Sequence, residues 1–295
     1  MPFKRSLHWP EGLPHHLTIP ETNLCYNLEV SAARFPNKDA IVFYDSKTTY
    51  TELNAQVNKL AGFLQQRCGI KRGDRVLLYM QNSPQFIVAY YAILRADAMV
   101  VPVNPMNLTA ELAHYIDDAD ATTAIVGQEV FPQIQPHVGT MLLKNVIVAT
   151  YSDYLTAATD LKVPEHIQAP RVEQKIAGVT AWRAALDADL QASPSVAGPQ
   201  DLCVMPYTSG TTGKPKGCIH IHSSVMMTTV THGAWLGAGT ADATILAVLP
   251  FFHVTGMQGS MNGPIYYGQT IVLLPRWDRE GAAMMVQRYK VTGRT

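Results

Sequence analysis

Short apolar runs of strand type alternate with amphipathic, helix-type segments along most of the chain, and this alternation constrains the fold most strongly. Three such runs lie at residues 75–80, 99–103 and 122–126, and they are apolar at nearly every position rather than at every second one. Strands of that kind are covered on both faces, as in a parallel sheet flanked by helices. The sequence therefore predicts an α/β fold with mostly parallel strands.

Helix signals separate these runs. Thr49 and Glu52 form a capping-box pair ahead of apolar residues at helical spacing. Ser83 precedes a proline and predicts the cap of a helix over residues 84–94, and Thr109 predicts the cap of another. Further strands are expected at residues 145–150, 217–222, 245–249 and 270–274.

The order of these elements predicts two adjacent open, mostly parallel sheets with flanking helices. We divide the chain into an N-terminal arm (1–24), the first part of a second α/β subdomain (25–74), an α/β subdomain ending in a glycine-rich loop (75–222), and an incomplete continuation of the second subdomain (223–295). Within the third segment, residues 151–200 are bracketed by prolines and are expected to be a connector or surface excursion.

Composition excludes several classes of protein. The 295 residues contain 23 Lys plus Arg and 23 Asp plus Glu, so no net positive field favours nucleic acid as a partner. Four cysteines without a CxxC pair exclude a disulfide framework and a zinc ribbon. The apolar stretch at residues 86–94 is too short to span a membrane, and no signal-peptide pattern is visible. We expect no membrane span and a cytoplasmic location.

The most distinctive segment is the loop at residues 207–217, which reads YTSGTTGKPKG. Its glycines, hydroxyls and lysines can converge on one polyanion, so the predicted ligand is a nucleoside triphosphate. A Walker A loop is a poor match, because Thr208 stands where its first glycine belongs and Pro215 replaces its Ser or Thr. A solvated Gly/Thr loop is the plain alternative.

This loop resembles the phosphate-loop signature of the AMP-forming adenylating superfamily, which comprises acyl-CoA synthetases, peptide-synthetase adenylation domains and luciferases. Residues 96–105 (ADAMVVPVNP) and 249–256 (LPFFHVTG) resemble two further segments of that superfamily, in the same order. The similarity covers roughly residues 25–150 and 200–290. The fold that it implies is the truncated N-terminal domain of an acyl-adenylate-forming enzyme.

The resemblance implies two-step chemistry with ATP, Mg²⁺ and coenzyme A. A carboxylic acid attacks the α-phosphate of ATP to give an acyl adenylate and pyrophosphate, and the thiol of coenzyme A then displaces AMP. The residues that match ATP phosphate-binding positions are Thr208, Ser209, Gly210, Thr211, Thr212, Gly213 and Lys214. No protein metal site is predicted, since Mg²⁺ is expected through the ATP phosphates, with Thr208 as a candidate contact.

His253 matches the superfamily position near the reacting carboxylate and is the predicted catalytic residue. The resemblance also places an acyl pocket at Phe251, Phe252, Thr255, Gly256 and Met257. Apart from His253, an equally good interpretation is that these residues pack a helix against the sheet. His220 and His222 share a predicted strand face, and solvent exposure is favoured there over metal binding.

The superfamily segments that supply a magnesium-binding glutamate, a ribose-binding aspartate and a C-terminal lysine do not occur in these residues. We therefore expect the chain to be the N-terminal portion of an acid–CoA ligase, most simply a fatty acyl-CoA synthetase. The chain alone is expected to be inactive in the full reaction and to have the missing C-terminal region as its partner. The alternatives are an aryl or short-chain acid–CoA ligase and a non-catalytic nucleotide-binding module. The oligomeric state stays open, a homodimer included.

Overall fold

The computed structural model describes residues 9–140, 142–208, 213–236 and 239–294. Its helices are α1 (Tyr26–Arg34), α2 (Tyr50–Gln66), α3 (Pro84–Arg95), α4 (Thr109–Asp118), α5 (Phe131–Ile134), α6 (Glu165–Gln168), α7 (Trp182–Asp187), α8 (His222–Leu236), α9 (Val254–Gly256), α10 (Gly263–Tyr267) and α11 (Arg279–Arg288). Its strands are β1 (Asp39–Phe43), β2 (Ser46–Thr49), β3 (Arg75–Tyr79), β4 (Met99–Val103), β5 (Thr123–Gly127), β6 (Asn145–Ala149), β7 (Val179–Ala181), β8 (Leu202–Val204), β9 (Tyr207–Thr208), β10 (Lys216–Gly217), β11 (His220–Ile221), β12 (Thr244–Ala247), β13 (Thr270–Leu273) and β14 (Gly293–Arg294).

The strands form two main sheets, as the sequence predicts. The first has the order β11-β8-β4-β3-β5-β6-β7, and its neighbours pair in parallel except for β11 with β8. The second has the order β14-β12-β13-β1-β2 and is parallel except for β2. The predicted α/β architecture with two mostly parallel sheets is confirmed.

Helix α3 is the most deeply buried helix element of this arrangement. Its residues from Pro84 to Leu94 are all buried, in agreement with a sequence that is apolar at most positions. Ser83 caps it by accepting a hydrogen bond from the amide of Phe86 at 3.2 Å, as predicted. Within the described ranges, no helix combines the length and the apolar character that crossing a bilayer requires.

Three local expectations differ from the structure. Helix α4 begins at Thr109 with Leu108 at the cap position, because the Thr109 hydroxyl donates instead to Gln133 Oε1 at 2.9 Å. The predicted strand over residues 217–222 is divided into β10 and β11, and α8 begins already at His222. Residues 151–200 also contribute more than a connection, since β7 is the edge strand of the first sheet and Trp182 is buried.

Candidate active site

The glycine-rich loop at residues 207–217, here called the glycine hairpin, has a base formed by β9 and β10. The two strands are antiparallel, and Thr208 lies opposite Lys216. Gly213 has a φ of +108°, which L side chains rarely adopt, and its missing Cβ would meet nothing within 4 Å. Lys214 is exposed. Gly213 and the ammonium group of Lys214 therefore lie just before β10, one strand of the paired base.

The predicted phosphate-binding residues fall into two groups. Three of them, Thr208, Gly213 and Lys214, belong to the described part of the hairpin. The others lie outside the described residues: Ser209, Gly210, Thr211 and Thr212. Their role in phosphate binding remains a prediction.

Side chains of helix α4 contact the glycine hairpin. The Tyr207 hydroxyl donates to Asp118 Oδ2 at 2.6 Å, and its ring lies 4.4 Å from that of Tyr115 between centroids. Burial and the neighbouring Asp118 carboxylate raise the pKa of Tyr207. On the other side of the turn, His114 Nε2 lies 2.9 Å from the carbonyl oxygen of Pro215. The hairpin base is thus positioned by α4 and by the packing of Tyr207 against a buried cluster that includes Tyr115 and Met205.

Residues 249–256, here called the His253 loop, are tied to the first sheet by one buried amide. Asn82 follows β3 and is only 4% exposed. Its Nδ2 donates to the carbonyl oxygen of Leu249 at 2.9 Å, and its Oδ1 accepts from the amide of Phe251 at 2.7 Å. Phe251 is fully buried and packs against Phe86, with ring centroids 5.5 Å apart. The carboxyl ends of β3 and β12 therefore meet at Asn82.

The local backbone fixes both the position and the tautomer of His253. Its Nδ1 accepts the amide hydrogen of Thr255 at 3.3 Å and so caps α9. In a neutral imidazole the proton then resides on Nε2, which is a donor suited to a carboxylate oxygen. Gly256 follows because a Cβ there would lie 2.3 Å from the carbonyl oxygen of Pro250. The chain continues as the π-helical turn Met257–Asn262, a distortion frequent at functional sites.

A cavity of about 460 Å³ lies where the hairpin base, α8 and the His253 loop come together. This volume is typical of small-molecule sites. We call it the His253 cavity, and its walls are formed by Val204, Pro206, Tyr207, Thr208, Cys218, His220, Ser224, Val225, Thr228, Phe252, His253, Val254, Met257 and Gln258.

The His253 cavity brings together part of the predicted site. Four predicted residues line it: Thr208, Phe252, His253 and Met257. The other predicted residues with a described position are outside its wall: Gly213, Lys214, Phe251, Thr255 and Gly256. Phe251 and Gly256 instead pack inside the protein and support the loop. For these two positions, the alternative interpretation of helix and loop packing fits the structure better.

Several wall residues were not predicted from the sequence, and Gln258 is the most informative of them. Its Oε1 accepts hydrogen bonds from Thr229 Oγ1 at 3.2 Å and Asn262 Nδ2 at 3.3 Å. Both hydrogen bonds are accepted by the Gln258 side-chain oxygen. Among the described contacts, its Nε2 group makes no hydrogen bond and can donate to a ligand. A π-helical turn has no recognisable sequence period, so no pattern could have pointed to Gln258.

The two histidines predicted to face solvent behave differently. His220 lines the His253 cavity. His222 is 1% exposed, and its Nδ1 accepts the amide hydrogen of Leu24 at 3.0 Å. Burial lowers the pKa of His222 to about 4. The expectation of solvent exposure is wrong for His222, because α8 starts there and turns the ring inward. Across the described residues, no cluster of three or more His, Cys, Asp or Glu side chains could hold a metal ion.

A second polar cluster lies beside Asn82, at the carboxyl ends of β3 and β5. The Tyr151 hydroxyl donates to Glu129 Oε1 at 2.7 Å and accepts from the amide of Gln81 at 2.9 Å. Burial raises the pKa of Glu129 to about 7, against the opposing effect of its bond with Tyr151. These bonds fix the position of Gln81, the residue before Asn82. They therefore help to hold Asn82, which binds the His253 loop.

Comparison with known proteins identifies the family to which this fold belongs. Residues 28–294 match the model of the AMP-binding enzyme family, and the chain belongs to that family. It is 31% identical over 290 residues to a long-chain-fatty-acid–CoA ligase of Bacillus subtilis (strain 168), covering 96% of this chain and 52% of the relative. The chain thus spans about half the length of the curated relatives it matches.

Solved structures show the same fold. A long-chain-fatty-acid–CoA ligase from Archaeoglobus fulgidus superposes with a TM-score of 0.78 at 24% identity, over 98% of this chain and 54% of that one. An anthranilate–CoA ligase in complex with anthranoyl-AMP gives a TM-score of 0.77 at 22% identity, over 94% of this chain and 50% of that one. At these identities the likeness concerns the fold.

Proposed function

We propose that the protein is the N-terminal portion of an ATP-dependent acid–CoA ligase that activates a fatty acid. The carboxylate oxygen attacks the α-phosphorus of ATP, the bond to the bridging oxygen breaks, and pyrophosphate leaves. The thiol of coenzyme A then attacks the acyl carbon, and AMP leaves. The observation that carries the proposal is the His253 cavity, whose wall includes both Thr208 of the glycine hairpin and His253.

The described residues fit these substrates chemically. The Nε2 donor of His253 suits one carboxylate oxygen, and the Nε2 group of Gln258 adds a second donor in the same wall. Lys214 and the Thr208 hydroxyl suit phosphate oxygens, because charge-assisted hydrogen bonds to phosphate are the strong ones. Mg²⁺ would enter with ATP and neutralise charge on its phosphates.

The experiment compares two neighbouring lysines of the hairpin. Titration calorimetry with MgATP is carried out on the wild-type chain, on Lys214→Ala and on the matched control Lys216→Ala. Loss of a charge-assisted phosphate bond costs about 1.5–3 kcal/mol, so we expect Lys214→Ala to weaken binding roughly 10- to 100-fold. Lys216→Ala should have a much smaller effect. Equal effects of the two substitutions would contradict the role of Lys214.

An aryl acid is the second candidate substrate, favoured by the aromatic ring of Phe252 in the cavity wall and by the similarity to an anthranilate–CoA ligase. Titrating benzoate and hexadecanoate in parallel separates the two. Acid-dependent release of pyrophosphate then separates a ligase from a non-catalytic nucleotide-binding module, since only adenylation forms pyrophosphate.

A further inference from the structure

Helix α4 contacts the glycine hairpin on both of its strands. His114 and Asp118 are one helical turn apart, so their side chains lie on the same face of α4. Asp118 accepts a hydrogen bond from the hydroxyl of Tyr207, in β9, at 2.6 Å. His114 Nε2 lies 2.9 Å from the carbonyl oxygen of Pro215, just before β10. One helix face therefore contacts both the segment that enters the hairpin turn and the segment that leaves it.

The contact with Pro215 fixes which imidazole nitrogen of His114 carries a proton. A carbonyl oxygen can only accept a hydrogen bond, so Nε2 of His114 is the donor. The imidazole also meets the Tyr207 ring edge to face, with the centroids 6.1 Å apart and an interplanar angle of 81°. His114 itself is half-buried. The ring contact and the hydrogen bond together hold the donor in one position.

The bond from His114 is the attachment nearest to Lys214. Pro215 has no amide hydrogen, and the paired base of the hairpin begins only at Lys216. Among the described contacts, residues 213–215 make no other hydrogen bond to the protein. Lys214 directly precedes Pro215 and is exposed. The donor of His114 therefore fixes the backbone from which the Lys214 side chain extends.

We propose that His114 is a positioning residue for Lys214 in phosphate binding and acts through the carbonyl group of Pro215. This inference rests on the proposed function and deepens it, because it assigns the placement of one phosphate-binding side chain to a residue outside the wall of the His253 cavity. MgATP affinity should then depend on a hydrogen-bond donor at position 114. Loss of one uncharged hydrogen bond should weaken MgATP binding roughly two- to tenfold.

The test titrates MgATP into variants that separate the donor from the ring. His114→Phe keeps a planar ring and removes the donor. His114→Gln removes the ring and keeps a donor, because a glutamine amide nitrogen reaches about as far along the side chain as imidazole Nε2. We expect His114→Phe to weaken MgATP binding roughly two- to tenfold, and His114→Gln to bind nearly as tightly as wild type. His114→Ala also lacks the donor and should show the same loss as His114→Phe.

His137→Phe is the matched control. His137 is also half-buried, and its Nε2 lies 2.8 Å from the carbonyl oxygen of Thr109, at the start of α4. The control therefore removes an equivalent bond at the opposite end of the same helix. It should leave MgATP affinity unchanged, and urea denaturation verifies that each variant is folded.

Combining His114→Phe with Lys214→Ala tests whether His114 acts through Lys214. Residues that act through one another are not additive. The loss caused by His114→Phe should therefore be much smaller once the Lys214 side chain is absent. A merely structural role would give the same loss in both backgrounds.

Four results would overturn the role of His114. These are wild-type MgATP affinity in His114→Phe and His114→Ala, a His114→Gln protein as weak as His114→Phe, equal losses in His114→Phe and His137→Phe, and an undiminished loss in the Lys214→Ala background. If Lys214→Ala weakens MgATP binding and His114→Phe does not, the proposed function stands and this inference fails. If MgATP binding is insensitive to Lys214→Ala, the proposed function itself fails.

Discussion

The His253 loop and the glycine hairpin face the same cavity, but they are attached to the protein in different ways. The His253 loop is bound by the buried Asn82, which makes two hydrogen bonds to its backbone. The hairpin is attached through a two-residue ladder and through contacts of Tyr207 with α4, namely an exposed bond to Asp118 and ring packing on Tyr115. The groups proposed to meet a carboxylate are thus fixed by a buried side chain, whereas the groups proposed to meet phosphates follow a short ladder held by α4. Rigid support of that kind favours precise placement of a reacting group.

The largest effect on stability is expected from Gly256→Ala, because the His253 loop has no room for a side chain there. A Cβ would lie 2.3 Å from the carbonyl oxygen of Pro250, which is backbone and cannot rotate away. We expect the free energy of unfolding to fall by about 3 kcal/mol, measured by urea denaturation. Gly198→Ala is the control, since its Cβ would make an ordinary contact at 3.7 Å. Similar losses for both would mean that the loop can adjust.

Asn82→Ala should cause the next largest loss of stability, because it removes both hydrogen bonds from Asn82 to the His253 loop. Two backbone groups lose their partner, and the free energy of unfolding should fall by about 2 kcal/mol. Acid affinity should fall as well, because His253 loses its support, while MgATP affinity should change little. Asn58→Ala is the matched control, because the Asn58 side chain bonds only a carbonyl of its own helix among the described contacts. If Asn82→Ala keeps the wild-type acid affinity, the His253 loop keeps its conformation without the bonds from Asn82, and the prediction is wrong.

His222 at the start of α8 and Glu129 below the His253 loop should give opposite pH dependences. His222 has a folded pKa of about 4, below its usual 6.5, so the unfolded chain binds more protons and stability rises with pH between these values. Glu129 has a folded pKa of about 7, above its usual 4.5, so the folded chain binds more protons and stability falls with pH over nearly the same window.

The two contributions nearly cancel in the wild-type protein, and single substitutions should reveal each one. We compare the free energy of unfolding over a window of about two pH units, from about pH 4.5 to about pH 6.5. Relative to wild type, the stability of His222→Gln should fall by about 1–2 kcal/mol as the pH rises through this window. Glu129→Gln should become more stable with rising pH by a similar amount. Both glutamines can still accept the native hydrogen bond. Parallel pH profiles for the two variants would contradict this assignment.

The contrast between the two regions also marks what the sequence could predict. Capping residues such as Thr49 and Ser83 act locally, so the helices they start were predictable and are confirmed. The glycine hairpin was recognisable because its residues are contiguous. Asn82 acquires its role through partners more than a hundred residues away in the sequence. Gln258 acquires its role because it lies in a π-helical turn. No local sequence pattern encodes either role. His222 was misassigned because the start of α8 depends on tertiary packing with Leu24.

The smallest effect on stability is expected from Tyr207→Phe, in the glycine hairpin. The substitution removes the bond to Asp118, which is exposed, and keeps the ring contact with Tyr115. The free energy of unfolding should therefore fall by less than about 1 kcal/mol. MgATP affinity should nevertheless fall measurably, because Tyr207 directly precedes Thr208 and orients the base of the hairpin, whereas acid affinity should stay the same.

Tyr26→Phe, at an exposed position of α1, is the control for the loss of a hydroxyl. A Tyr207→Phe protein that loses acid affinity and keeps MgATP affinity would reverse the assignment of the two regions, and calorimetric titration of both ligands distinguishes these outcomes.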